Sequence, residues 1–204
     1  MKILRESSEE EMLLAFLRGE WTSERFSEDL HMALVSCQAE PELITNGDLE
    51  SEAENMLRRE VMGAFRGYGR NEELFQHYPE HVTWEYAELE SEDLAHIRYI
   101  DYSYWNELSC GTSSPLDAVK TIREDHRIFD VPNDRFLAGE RHLRAGGTFP
   151  PIILLTSGSG QYVVMEGHLR VTSYALAPEY FAGTHCYVGT CTLEELKRWN
   201  GGYE

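Results

Sequence analysis

Basic residues are the scarce class in this 204-residue chain: 18 lysines and arginines stand against 36 aspartates and glutamates, a formal net charge of −18. A protein that grips duplex DNA through its phosphates needs a field of the opposite sign, so this balance argues against a duplex-DNA footprint. Long apolar runs are also missing. No stretch approaches the length of a membrane span, and the opening MKILRESSEEE meets acid before a signal-like apolar core can form; no membrane contact and a cytoplasmic location are expected. Cysteine is sparse. Cys37, Cys110, Cys186 and Cys191 show no CxxC spacing, which argues against a zinc site or a disulfide framework and leaves reduced thiols packed as small apolar side chains. His185, Cys186 and Cys191 lie close in sequence, but neighbours on a strand point to opposite faces, so His185 and Cys186 are poor candidates to share a metal. Internal repeats and low-complexity segments are absent.

What is present is a globular composition, 42% hydrophobic, in a length that suits one domain or a small domain with a helical extension. Residues 1–100 read as a mainly helical region. Ser8 and Glu11 form a capping-box pattern ahead of Met12, Leu13, Phe16 and Leu17, with Gly19 as the expected stop. A second helix beginning near Ser23 places Phe26, Leu30, Ala33, Leu34 and Cys37 on one face, and a third from Asp48 carries Leu49, Ala53, Met56, Leu57, Ala64 and Phe65. Gly63, Gly67 and Gly69 mimic a dinucleotide loop, but they follow a helix, so they read as its end. Val82, Trp84 and Tyr86 alternate as in a strand, and Ser91 opens a further helical turn. The aromatic stretch 98–105, RYIDYSYW, reads as packing between the two halves, with a stacking platform for a base as the lesser reading.

Acid is concentrated in that first half, with 23 acidic against 9 basic residues in 1–100 and 13 against 9 in 101–204. Six of the later bases, Lys120, Arg123, Arg127, Arg135, Arg141 and Arg144, fall within one short stretch. A local positive pocket in an acidic protein suits a small anionic ligand better than a polymer. Helices are expected over 115–124, behind Ser114, and from Asn133 or Asp134 to Gly146, which would put Arg141 and Arg144 on the last turn before the next strand.

The densest chemistry lies in residues 149–174. Two β-branched apolar strands, 151–155 and 161–165, flank SGSG and should form a hairpin. A helical pattern begins within two residues of the second strand, and the free N–H groups of its first turn make a ready anion site. Glu166 can act as a base or hold a magnesium ion; Gly167 permits close backbone approach; His168 can donate or shuttle a proton; Arg170 can fork a phosphate.

At these residues the chain resembles the ParB/sulfiredoxin superfamily, whose nucleotide-binding loop sits at a strand-to-helix junction. The sulfiredoxin run GCHRYAAY aligns with Gly167 to Tyr174, and the DGHHR of free serine kinases is similar to EGHLR at 166–170. A proline pair before the hairpin, Pro150 and Pro151, agrees, as do an expected strand 184–189 and helix 192–199. Two departures qualify what is carried over. His168 replaces the sulfiredoxin cysteine, which excludes that activity, and Leu169 replaces the histidine before the motif arginine.

The resemblance implies an α+β fold: a small mixed-sheet ParB/sulfiredoxin-like domain over 101–204 with the helical region 1–100 packed on it. It further implies binding of ATP or another nucleoside triphosphate with Mg2+, and hydrolysis or phosphoryl or nucleotidyl transfer. Glu166 and His168 would be catalytic, Gly167, Arg170, Arg141 and Arg144 would hold phosphate, and Glu166 would hold the metal. The alternatives are a non-catalytic acidic protein that binds a partner through its helical half and keeps a degenerate ligand pocket, or a ParB-like nuclease.

Overall fold

The computed structural model describes residues 1–201, so the last three residues of the 101–204 region lie outside the described residues. The fold is α+β, with helices around one six-stranded mixed sheet. The strands are β1 (Lys2–Ser7), β2 (Thr83–Glu88), β3 (Ile97–Arg98), β4 (Ile152–Thr156), β5 (Tyr162–Glu166) and β6 (His185–Thr190), in the order β1-β2-β6-β4-β5-β3. β4 is one of the inner strands: it runs parallel to β6 on one side and forms the expected antiparallel hairpin with β5 on the other. All five of its residues are buried, which is what a continuous IILLT run requires of a strand covered on both faces.

The pleat divides that run between two cores. Ile153 and Leu155 of β4, with Val163 and Met165 of β5, face the larger core. There they meet Met12, Leu13, Phe16 and Leu17 of α1 (Glu9–Trp21). Ile152, Leu154 and Val164 face the smaller core, packed with Val171 and Tyr174. Three strands of the sheet, β1, β2 and β3, come from the first hundred residues and three from the remainder. The larger core likewise draws on both halves, so the helical region shares one sheet and one interior with the residues after it.

Most elements follow the sequence signals, with informative shifts. Ser8 caps α1 by accepting from the Glu11 amide, but the helix runs past Gly19 to Trp21. α2 (Ser27–Ser36) begins four residues later than Ser23, whose hydroxyl instead accepts from the Phe26 amide. A short helix, α3 (Glu42–Thr45), precedes α4 (Glu52–Arg66), which is capped by Ser51 and not from Asp48. Gly67 ends α4 in a left-handed conformation, as read from its place after a helix. The aromatic stretch leads into α5 (Ser103–Leu108), α6 (Pro115–Arg123) follows, and α7 (Asp134–Arg144) precedes the hairpin. Neither Ser114 nor Asn133 caps through its side chain; the Asn133 amide donates to the His126 carbonyl. α8 (His168–Leu176) leaves the end of β5, and α9 (Leu193–Trp199) closes the described chain. No described helix is long and apolar enough to cross a membrane.

Candidate functional site

The junction between β5 and α8 is built as a tight corner. Gly167 has φ +100°, a left-handed value that side chains resist, and a Cβ there would lie 2.8 Å from Ile152 Cγ2. The corner therefore needs glycine for both its torsion and its packing. It brings Glu166 and Arg170 together across the turn, and both are 8% exposed. Arg170 donates to the Glu166 carboxylate through Nη2 and to the carbonyls of Pro150 (3.0 Å) and Pro151 through Nη1. Gly19 completes the enclosure, since a Cβ there would meet Arg170 Nη2 at 3.2 Å and Glu166 Oε1 at 3.5 Å. The missing side chain at Gly19 lets α1 lie close over the ion pair.

These partners change what the expected site residues can do. Arg170 is committed to three protein acceptors, and burial pulls its guanidinium down to about 10, so it remains a cation at neutral pH, paired internally. Glu166 faces that guanidinium from the same buried corner. A magnesium ion carried with a nucleotide needs one or two accessible carboxylates, whereas Glu166 is 8% exposed and paired with Arg170. The residues at the junction do not fit the metal role assigned to Glu166.

His168 lies flat on Trp105, with ring centroids 4.9 Å apart and planes at 17°, and is stacked more distantly on Tyr99 at 6.1 Å. Its Nε2 is withdrawn from solvent with no hydrogen-bond partner. Burial, reinforced by the positive charge of Arg66 and Arg25, depresses its pKa to about 3. The ring is neutral at pH 7 and too weak a base for efficient proton transfer there. The aromatic stretch 98–105 accounts for this seat: Tyr99 and Trp105 are buried and stack on each other at 4.7 Å.

Among the described residues, no hydrogen bond or ion pair joins Arg141 or Arg144 to this corner. Both are exposed on the last turn of α7. Arg144 binds Glu140 at 2.9 Å and Glu179 at 2.6 Å. Glu140 is shared with Arg123, which also donates to the Leu176 carbonyl. This network marks the C-terminal end of α8, whereas a phosphate at Gly167 would sit at its N-terminal end. A nine-residue helix puts about 12 Å between the two ends.

Sequence reasoning missed a second cluster of charge. A cleft of about 720 Å3 opens between α2, the end of α4 and Tyr102, and its lining includes Arg25, Phe26, Phe65 and Arg66. Phe26 and Phe65 form an edge-on pair at 6.3 Å. The guanidinium of Arg25 lies 4.6 Å from the Phe26 centroid, and that of Arg66 lies 4.8 Å from Phe26 and 5.7 Å from Phe65. Between this cleft and the corner lies Glu20, which is 6% exposed. Burial raises its pKa, while a hydrogen bond from Ser23 and the charges of Arg66, Arg170 and Arg25 oppose the rise. The available signal was the mirrored pair Arg25-Phe26 and Phe65-Arg66, which only the fold brings together.

Cys186 and Cys191 are buried, with thiol pKa values raised by that burial to about 12 and about 11, whereas His185 is exposed. Such thiols remain protonated at pH 7 and are poor nucleophiles. No family model, no curated protein and no solved structure matches the chain.

Proposed function

We propose that this protein binds a small anionic ligand, with nucleotides among the candidates, and does not transform it at the Glu166–Arg170 corner. The observation that carries this reading is the mutual neutralisation of those two side chains. A carboxylate buried against an arginine is neither a free base nor a metal ligand, and an arginine donating to that carboxylate and two carbonyls offers no fork to a phosphate. Opening the pair to admit a ligand would leave charges uncompensated in a buried site, a penalty of several kcal/mol. Arg25 and Arg66 line open space together with Asp29 and Glu73, so a small anion would be met there by guanidinium donors within a charge-balanced cleft of an otherwise acidic molecule.

A second reading keeps nucleotide chemistry at the corner, in line with the ParB/sulfiredoxin-like motif. In its favour, α8 starts without a side-chain cap at Gly167, and the buried Nε2 of His168 has no partner.

Calorimetric titration of ATP, CTP, GTP, UTP, inorganic phosphate and simple carboxylates, with and without magnesium, separates the two when paired with a phosphate-release assay. The expected result is saturable binding of an anion that magnesium does not strengthen, with no phosphate release. Magnesium-dependent release that is abolished in folded Arg170→Ala protein would overturn the reading and restore the corner as an active site.

A further inference from the structure

We infer that the cleft between α2, α4 and Tyr102 is a binding site for a small organic carboxylate with an apolar or aromatic body, the acid group held by Arg66 and Arg25. This deepens the reading of the protein as a binder of small anions and rests on it.

The first argument is an unsatisfied donor. Arg66 Nε is withdrawn from solvent and has no hydrogen-bond partner. Its nearest anion, Glu73, stands 3.6 Å away, beyond hydrogen-bond length, and is itself 64% exposed. A buried guanidinium N–H without an acceptor is costly; Arg58 and Arg135 have the same unmet Nε, so at Arg66 it points to a ligand only together with the open cleft beside it. The second argument is orientation. Both guanidinium carbons lie over the Phe26 ring, and a guanidinium held on an aromatic face can still present its Nη groups to an acceptor in the cleft. A carboxylate is the planar acceptor that matches such donors.

The third argument fixes the class through charge balance. Asp29 and Glu73 line the same cleft as Arg25 and Arg66, so its formal charge is zero before a ligand enters. A triphosphate would carry far more negative charge than this site can neutralise, within a protein of net charge −18. A single carboxylate adds little. Of the remaining walls, Met32, Ala33, Phe65 and Leu74 are apolar and suit a hydrocarbon or aromatic body, with Ser36 as a polar member. Tyr102, 42% exposed, borders the opening with a hydroxyl that can donate to the same acid. The volume of about 720 Å3 exceeds that of one ring and falls within the range of small-molecule sites.

The test uses phenylacetate and 4-phenylbutyrate as probes, with inorganic phosphate and ATP as comparators, followed by calorimetry and by ligand-observed NMR on the full chain. Wild type should bind a phenyl carboxylate saturably and more tightly than phosphate or ATP. Arg66→Gln should weaken that binding at least tenfold, Arg25→Gln should weaken it less, and Arg144→Gln should leave it unchanged. Thermal melting of each variant checks folding, and Arg25, being exposed, keeps the test open should Arg66→Gln not fold. Carboxylate binding that both cleft variants leave intact would overturn the site. Tighter binding of ATP or phosphate than of either carboxylate would overturn the ligand class while leaving the broader small-anion reading in place. Failure of every anion to bind folded protein would overturn both.

Discussion

Arg170 and Arg66 are the same residue type put to opposite uses. Arg170, at the β5–α8 corner, has every role filled by protein: a carboxylate one helical turn away, two proline carbonyls, and a glycine of α1 closing the space above it. Arg66, at the end of α4, rests on aromatic faces with a buried Nε unpaired and a cleft beside it. The residue with the better motif is the structural one. A guanidinium is available to a ligand only where the fold leaves its N–H edge unanswered, and motif spacing does not report that.

The largest effect expected from this contrast is on stability at the corner. Arg170→Ala strands the Glu166 carboxylate in a buried site and should cost about 3–5 kcal/mol in urea denaturation, as removal of one partner from a buried pair does. A loss below about 1 kcal/mol would mean the pair is not a lock and would revive Arg170 as a free phosphate fork. Gly167→Ala comes next. It forces a side chain into a left-handed torsion and against Ile152, and should cost about 1–3 kcal/mol by the same measurement. A neutral result there would show that the corner relaxes easily.

His168 sharpens the comparison through pH. Its folded pKa, depressed to about 3 by burial, lies below its ordinary value of 6.5. Between pH 6.5 and 3 the unfolded chain takes up a proton that the folded chain refuses. The stability contributed by the neutral ring is therefore complete above pH 6.5 and is lost as pH falls across that window. Urea melts across the window should show a slope that His168→Gln flattens. An unchanged slope would place the imidazole in contact with water. The smallest effect belongs to Arg144→Ala. Arg144 and Glu179 are about half exposed, and the buried Glu140 keeps Arg123 as a partner when Arg144 is removed, so about 0–1 kcal/mol is expected in the same assay. A larger loss would give the α7 network a structural weight its exposure does not suggest.

Much of the fold was legible. Helical stripes, the Ser8 cap and the β4–β5 hairpin all follow from short-range preferences that the tertiary structure leaves standing. β1 was not legible because it is an edge strand: five of its six residues are exposed, so no buried face imposes an alternation. β3, two residues long, has no period to detect. Of the expected site residues, Glu166 and Arg170 meet across Gly167, while the neighbouring His168 turns its ring onto Trp105 and Tyr99. Arg141 and Arg144 sit at the last turn of a neighbouring helix, where sequence placed them, but Arg144 is bound to Glu140 and Glu179 beyond the far end of α8 from Gly167. Closeness along the chain was a poor guide to closeness in space.

The sequence by itself determined the local elements and the strand–glycine–helix corner, because periodicity, capping and a left-handed torsion act over a few residues. It even held the i, i+4 spacing of Glu166 and Arg170 that foreshadows their pairing. Only the tertiary structure decided what the arginines do. The worth of a charge depends on desolvation and on partners, and those came from Gly19, Pro150 and Pro151 at one site and from Phe26 and Phe65 at the other.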